Sequence, residues 1–246
     1  MSAGVTTGAD QVARVPAYQV FADDLRQQIV SGRLRPGERL PTEPQLCVRS
    51  GLSRSTVREG LRVLASQQLI VTTRGVTGGS FVAEPSVERM ADSLASAMQV
   101  LRTGMTLSGD QFLEIREMLE GPGAAMAAER RTDDDLTTLR GRLLDPASPD
   151  EQALAAYWGF HAAMAAAAHN PLFELLVRPL KQIANDLELV QAGPADLWHR
   201  CAADTRLVLG YVERGDSPGA AQAVRRHLGY LRGIYRAEEV RLTGLS

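Results

Sequence analysis

Between Leu46 and Gln68 the chain reads LCVRSGLSRSTVREGLRVLASQQ, with cations and hydroxyls at spacings that suit phosphate oxygens and base edges. At about 100° per residue, Arg54, Ser55, Arg58 and Arg62 share one face of a helix that follows Ser53. Val57, Leu61 and Leu64 share another. The free N–H groups at that helix start and the hydroxyls of Ser53, Ser55 and Thr56 can bond phosphates, while arginine forks reach phosphates or guanine O6 and N7. The plainer alternative is an amphipathic helix with a solvated charged face.

The neighbouring residues decide between these readings. Gly51 breaks a helical pattern and Ser53 can cap a second helix, so the stretch reads helix, tight turn, helix. Upstream, Tyr18, Phe21, Leu25 and Ile29 form a helical stripe that starts near Pro16 and ends at Ser31-Gly32. The connection GRLRPGERLPTEPQL is punctuated by Gly32, Pro36, Gly37 and Pro41. Thr42 and Gln45 make a capping-box pattern, with Pro44 harmless in the first turn. Downstream, Leu69–Thr73 and Ser80–Val82 read as short strands around a glycine-rich turn that carries Arg74. Three helices and a β-hairpin are the elements of a winged helix-turn-helix, a DNA-binding arrangement.

Composition bounds the rest. The 246 residues suit one large domain or two ordinary ones, and a hydrophobic share of 44% with 23% charged residues is that of a globular chain. The net charge of -2 conceals a gradient: residues 1–83 carry ten arginines against six carboxylates, and residues 84–246 carry 17 cations against 23 carboxylates. A polyanion is steered to the first part. Lys181 is the only lysine. Cys47 and Cys201 match no metal-ligand spacing and read as reduced thiols. The stretch MSAGVTTGADQVARV shows no apolar h-region, and the run Ala162–Ala168 is too short to span a bilayer, so no membrane partner and a cytoplasmic location are expected. Neither a HExxH pair, a P-loop, a dinucleotide fingerprint nor a nucleophile elbow occurs, which argues against an enzyme.

SGRLRPGERLPTEPQL, GLSRSTVREGLRVLASQQLI and RGVTGGSFV resemble the DNA-binding domain of the GntR family of bacterial transcription regulators over residues 16–83. The resemblance implies operator contacts from Ser53, Arg54, Ser55, Thr56 and Arg58 in the turn and recognition helix, and from Arg74 and Gly75 in the wing. Pro44 stands where many members carry a basic residue, so a phosphate contact is missing there.

Residues 1–15 read as a disordered extension, 84–86 as a linker, and 87–246 as an all-α antiparallel bundle that binds an effector and dimerises. Helices are expected over 87–102, 109–130, 133–144, 150–168, 171–191, 195–214 and 217–240, with a kink at Gly121-Pro-Gly123. The fold class is therefore mainly α.

EIREMLEGPGAAMAAERRTDDDLTTL, GFHAAMAAAAHNPLFELL and GYVERGDSPGAAQAVRRHL resemble the helical FCD domain of the FadR subfamily. Many members bind a divalent metal through an Asp four residues before a His, a second His, and a third His 22 residues later. This chain keeps His161 and His227 at two of those positions, but Tyr157 and Thr205 stand at the others. A phenol and an alcohol are poor substitutes for a carboxylate and an imidazole, so no metal cofactor is expected; a bound metal would fall to His161 and His227. The two rings then read as neutral, hydrogen-bonded pocket histidines. An organic effector is expected among Tyr157, His161, Thr205 and His227, with Arg116 binding a carboxylate; the equal alternative for Arg116 is a salt bridge with Glu120.

These expectations combine into a homodimeric, effector-responsive regulator, a repressor on palindromic double-stranded operator DNA. Its competitors are a metal-dependent helical enzyme with an N-terminal docking module and an architectural DNA-binding protein without an effector.

Overall fold

In the computed structural model, Thr42 and Gln45 close the first turn of a helix: the Thr42 N–H donates to Gln45 Oε1 at 2.9 Å. The structure describes residues 15–75, 78–103, 108–185 and 193–243. The frayed stretch expected at 1–14, wing residues 76–77 and the end of the helix expected over 171–191 lie outside the described residues. The chain divides into two compact units between Pro85 and Ser86.

In the first unit α1 is Ala17–Val30, α2 Glu43–Ser50 and α3 Arg54–Ser66. Gly51 ends α2 at φ 70°, a left-handed conformation that glycine adopts without a Cβ penalty. Ser53 Oγ then accepts from the Thr56 N–H at 3.2 Å and starts α3. Val57 and Leu64 are fully buried against Phe21, Leu25 and Leu46, and each such side chain contributes about 1.5–3 kcal/mol. At Gly60, α3 comes so near α1 that a Cβ would lie 2.5 Å from Phe21 Cδ1.

The hairpin is β1 Ile70–Thr73 and β2 Gly79–Val82, antiparallel, with Ile70 opposite Val82 and Thr73 opposite Gly79. The segment GRLRPGERLP does more than connect helices. The Leu40 N–H donates to the Ser80 carbonyl and the Val82 N–H to the Glu38 carbonyl, both at 2.8 Å, so residues 38–40 cover the outer edge of β2.

In the second unit, α4 is Val87–Thr103, α5 Gly109–Arg130, α6 Asp133–Gly141, α7 Asp150–Ala167, α8 Pro171–Val177, α9 Leu180–Asn185, α10 Leu197–Arg214 and α11 Ser217–Thr243. Helices α5 and α11 run antiparallel in close contact. A Cβ on Gly109 would lie 2.4 Å from the Tyr235 ring, and Gly121 lies near the Ala221 carbonyl. Pro122 sits inside α5, which continues through it. Beside it, Gly123 makes room for Phe173, whose ring tip would be 2.2 Å from a Cβ.

The single helix expected over 171–191 is instead two, α8 and α9, separated by Arg178 and Pro179. Proline has no N–H to continue the ladder and its ring crowds the preceding turn. Helix α6 stops at Gly141, three residues short of expectation. Its start is as the sequence implied: the Thr132 N–H donates to Asp135 Oδ2 at 2.7 Å.

Candidate functional site

Packing of Val57, Leu61 and Leu64 inward leaves Arg54, Ser55, Arg58 and Arg62 exposed on the other side of α3. Ser53 Oγ lies 2.8 Å from both Ser55 Oγ and Thr56 Oγ1, so the hydroxyls cluster at the helix start, where the helix field favours anions. Among the described residues, no hydrogen bond or ion pair engages the Arg54 side chain. Arg58 Nε donates to Glu43 Oε2 at 2.8 Å, tying α3 to α2; this bond, then the Glu43 charge, raises the Arg58 pKa. Arg62 pairs with Glu59 at 3.2 Å.

Arg74 and Gly75 are exposed at the end of β1, and Gly75 has φ 114°. Arg39, which sequence reasoning passed over, braces the wing: its Nη2 donates to the Gly78 carbonyl at 2.6 Å and its guanidinium lies 5.8 Å from the Phe81 ring centre. The loop spacing carried no sign of it, because the contact depends on pairing 39 residues away.

The second constellation is interior to the helical unit. Helix α5 brings Arg116 and Glu120 onto one face at i, i+4, α7 brings Tyr157 and His161 likewise, α10 carries Asp204 and Thr205, and α11 carries His227. Arg116 is 1% exposed and Glu120 5%. Arg116 Nε donates to Glu120 Oε1 at 2.6 Å and Nη2 to Oε2 at 3.0 Å. Of the two expectations for Arg116, the salt bridge is therefore the one present in this structure. Arg116 Nη2 also donates to the Tyr157 oxygen at 2.8 Å, and the guanidinium sits 4.6 Å from the Trp158 ring centre.

From Tyr157 a chain of donors runs outward. The Tyr157 O–H donates to His227 Nε2 at 2.8 Å, the His227 Nδ1–H donates to Asp204 Oδ2 at 3.1 Å, and Arg200 Nε donates to the same carboxylate at 3.3 Å. His161 Nδ1 lies 2.9 Å from Glu120 Oε2, and its Nε2 lies 3.5 Å from Arg116 Nη2.

Burial opposes both charges of the central pair, yet Glu120 and Tyr157 keep Arg116 above its ordinary pKa, and Arg116 with His161 holds Glu120 well below the carboxylate range. Burial also pushes the Tyr157 phenol up, which keeps its proton available to His227. For His227, burial lowers the pKa against the opposing Asp204 bond, and the nearby His161 and Arg116 lower it further. The ring is a neutral acceptor at Nε2.

Thr205 is buried beside this network, but its hydroxyl donates to the Ala202 carbonyl at 3.2 Å within α10. The cavity bordered by Glu120, His161, Asp204, Thr205 and His227 measures about 20 Å³, room for about one water. Tyr157 does not border it; its phenol is enclosed in the network.

The donors do not fit a divalent metal. Carboxylates at the Nδ1 atoms are the pairing that orients ligand histidines, but His227 Nε2 already accepts from Tyr157 and His161 Nε2 faces the Arg116 cation. Among the described residues, no group of three or more His, Cys, Asp or Glu side chains is arranged to hold a metal. His169, by contrast, lies near the surface, 2.8 Å from Asp135, and His199 is exposed.

Glu120 entered the sequence reading only as a partner for Arg116, and Asp204 and Trp158 did not enter it. Glu120 carried a signal, its i, i+4 spacing from Arg116. Asp204 and Trp158 carried none, because their roles depend on which helices meet.

Residues 17–82 match the model of the bacterial regulatory proteins, gntR family, and residues 111–230 match the FCD domain. The HTH-type transcriptional regulator LutR of Bacillus subtilis is 30% identical over 158 residues, covering 63% of this chain and 69% of that protein. The Glc operon transcriptional activator of Escherichia coli is 30% identical over 196 residues, 76% of this chain and 74% of that one. The solved structure of Streptococcus agalactiae GntR has the same fold, with a TM-score of 0.59 at 20% identity, over 89% of this chain and 99% of that one. No helix among the described residues is long and apolar enough to cross a membrane.

Proposed function

Since the chain belongs to the GntR family and carries an FCD domain, it is a DNA-binding transcription regulator rather than an enzyme, and we propose that it acts in the cytoplasm as a homodimeric repressor of a palindromic operator. The observation that supports this most is the exposed arginine face of α3, whose opposite face is locked into a core. One short helix reads few base pairs, and a second copy related by twofold symmetry doubles the read-out. Ser53, Arg54, Ser55, Thr56 and Arg58 are assigned to the major groove, and Arg74 with Gly75 to the wing contact. The relative from Escherichia coli is named an activator; the sign of regulation follows from where the operator lies, and repression here requires overlap with a promoter.

The effector is assigned to the central network, as a small organic carboxylate that engages Arg116, Tyr157, His161, Thr205 and His227 without a metal. Its carboxylate must compete with Glu120 for Arg116, and the cavity of about 20 Å³ must widen to receive it. Effector-bound and effector-free forms therefore differ in packing, which is the difference a ligand needs in order to shift operator affinity. Footprinting on genomic sites recovered with the protein tests the reading. Two protected half-sites about one helical turn apart, overlapping a promoter and released by a carboxylate metabolite, are expected; protection of a single, unrepeated site contradicts the dimeric palindrome.

A further inference from the structure

A larger space in the helical unit shares His161 and Val177 with the lining of the small central cavity. A cleft of about 530 Å³ opens between α4, α6, α7, α8 and α9, within the range of about 300–1,000 Å³ typical of small-molecule sites. Ala155, Gly159, Ala162 and Ala166 line it from successive turns of α7. Phe160, Met164 and Ala165 border the small central cavity instead, and His161 borders both spaces.

Two properties of the cleft point to a ligand. The first is charge: Arg142, Arg178 and Lys181 line it against one carboxylate, Asp92. Arg178 is neutralised by Glu174 at 2.6 Å, but among the described residues Arg142 and Lys181 have no ion-pair partner. The second is unmet hydrogen bonding. Trp158, 4% exposed, keeps a buried Nε1–H with no acceptor, and Gln182 keeps a buried Oε1 with no donor. Both residues line the same cleft. Buried polar groups are nearly always partnered, so a donor and an acceptor left open beside unpaired cations describe a partner of complementary chemistry.

We propose that this cleft binds a small organic anion, a carboxylate or phosphate ester with a flat apolar body. The anionic group takes Arg142 and Lys181, the body lies over the alanine and glycine surface of α7, and its polar atoms meet the Trp158 N–H and the Gln182 oxygen. Because the Arg116 guanidinium stacks on the Trp158 ring, an occupant of the cleft adjoins the central network through that indole. The cleft shares His161 with the effector assignment above, but its occupancy is read at Lys181 and without operator DNA, so either can fail alone.

Lys181 is the only lysine in the sequence, which makes the test specific. Pyridoxal 5′-phosphate serves as probe: its aldehyde carbon condenses with the Lys181 amine, water leaves as the C=N bond forms, and borohydride hydride reduces that bond to a stable amine that peptide mass mapping locates. The labelling rate at Lys181, normalised to the terminal amine of the same chain, is expected to saturate with probe. It should fall about tenfold in Arg142→Gln, through loss of the cation that draws the phosphate. Independently of any variant, 2-naphthoate should protect Lys181 in the unsubstituted protein. Unsaturable labelling unchanged by Arg142→Gln and by 2-naphthoate overturns the proposal. So does a Lys181 that resists the probe altogether, as it would beneath a second copy of the chain.

Discussion

Arg116 and Glu120 form a two-point ion pair inside the helical unit, at 2.6 and 3.0 Å, with both side chains almost wholly removed from solvent. Removing one member strands the other charge. Glu120→Gln is expected to cost about 3–5 kcal/mol in urea unfolding, whereas the double variant Arg116→Met with Glu120→Leu loses much less, because an apolar pair needs no counter-charge. Equal losses in the two would show that the pair is not what makes the position sensitive.

Acid should weaken the fold in two steps of the same sign. The His227 pKa is lowered in the folded state, so below about pH 6.5 the unfolded chain takes up a proton that the native ring refuses, and stability falls. Glu120 and Asp204 are held low by their partners, so their contribution is present above the unfolded carboxylate pKa of about 4 and is lost as pH drops further. The melting temperature is expected to be lower at pH 5.5 than at pH 7.5, and lower again at pH 4. A flat or rising profile toward acid would contradict the assigned protonation of His227.

At Gly60 the packing of α3 on α1 leaves no room for a side chain. A Cβ there would meet Phe21 Cδ1 at 2.5 Å and the Tyr18 carbonyl at 3.0 Å, and the second of these cannot rotate away. Gly60→Ala should destabilise the N-terminal unit by about 1–3 kcal/mol in chemical denaturation, as overpacking does. Operator affinity measured well below the unfolding transition should change far less than in variants of the exposed face.

If Arg58 meets DNA as proposed, Glu43 must compete with the duplex for its guanidinium. Their bond of 2.8 Å sits on the exposed side of α3, and the carboxylate would stand close to the phosphates that the guanidinium approaches. Glu43→Gln should therefore raise affinity for operator and for unrelated duplex by a few-fold, with the gain shrinking as salt rises. Weaker binding would mean that Glu43 orients Arg58 for the groove.

Much of the N-terminal unit was legible because its determinants are local. The Thr42–Gln45 box, the turn at Gly51 and the cap at Ser53 each span four residues or fewer, and the α3 stripe separates a core face from a cationic one. The cover that residues 38–40 provide for β2 was not legible, since it depends on a pairing between segments about 40 residues apart. In the helical unit Arg116–Glu120 was readable as a one-turn pair, but its burial, and the route from Tyr157 through His227 to Asp204, follow from how α5, α7, α10 and α11 meet. The break between α8 and α9 did have a sequence signal in Pro179, which the expectation of one helix over 171–191 left out of account.

Arg54 has no competing partner among the described residues, so its loss reads the proposed DNA face with the least structural side effect. Fluorescence anisotropy on the recovered operator duplex, at several salt concentrations, compares the unsubstituted protein with Arg54→Ala. Affinity should fall about tenfold or more, with the magnitude of the log–log salt slope decreasing by about 1 if Arg54 meets a phosphate, or with discrimination relaxed at one base pair if it meets a guanine. Unchanged affinity, slope and sequence preference in a folded Arg54→Ala protein would contradict the assignment of α3 as the helix that reads DNA.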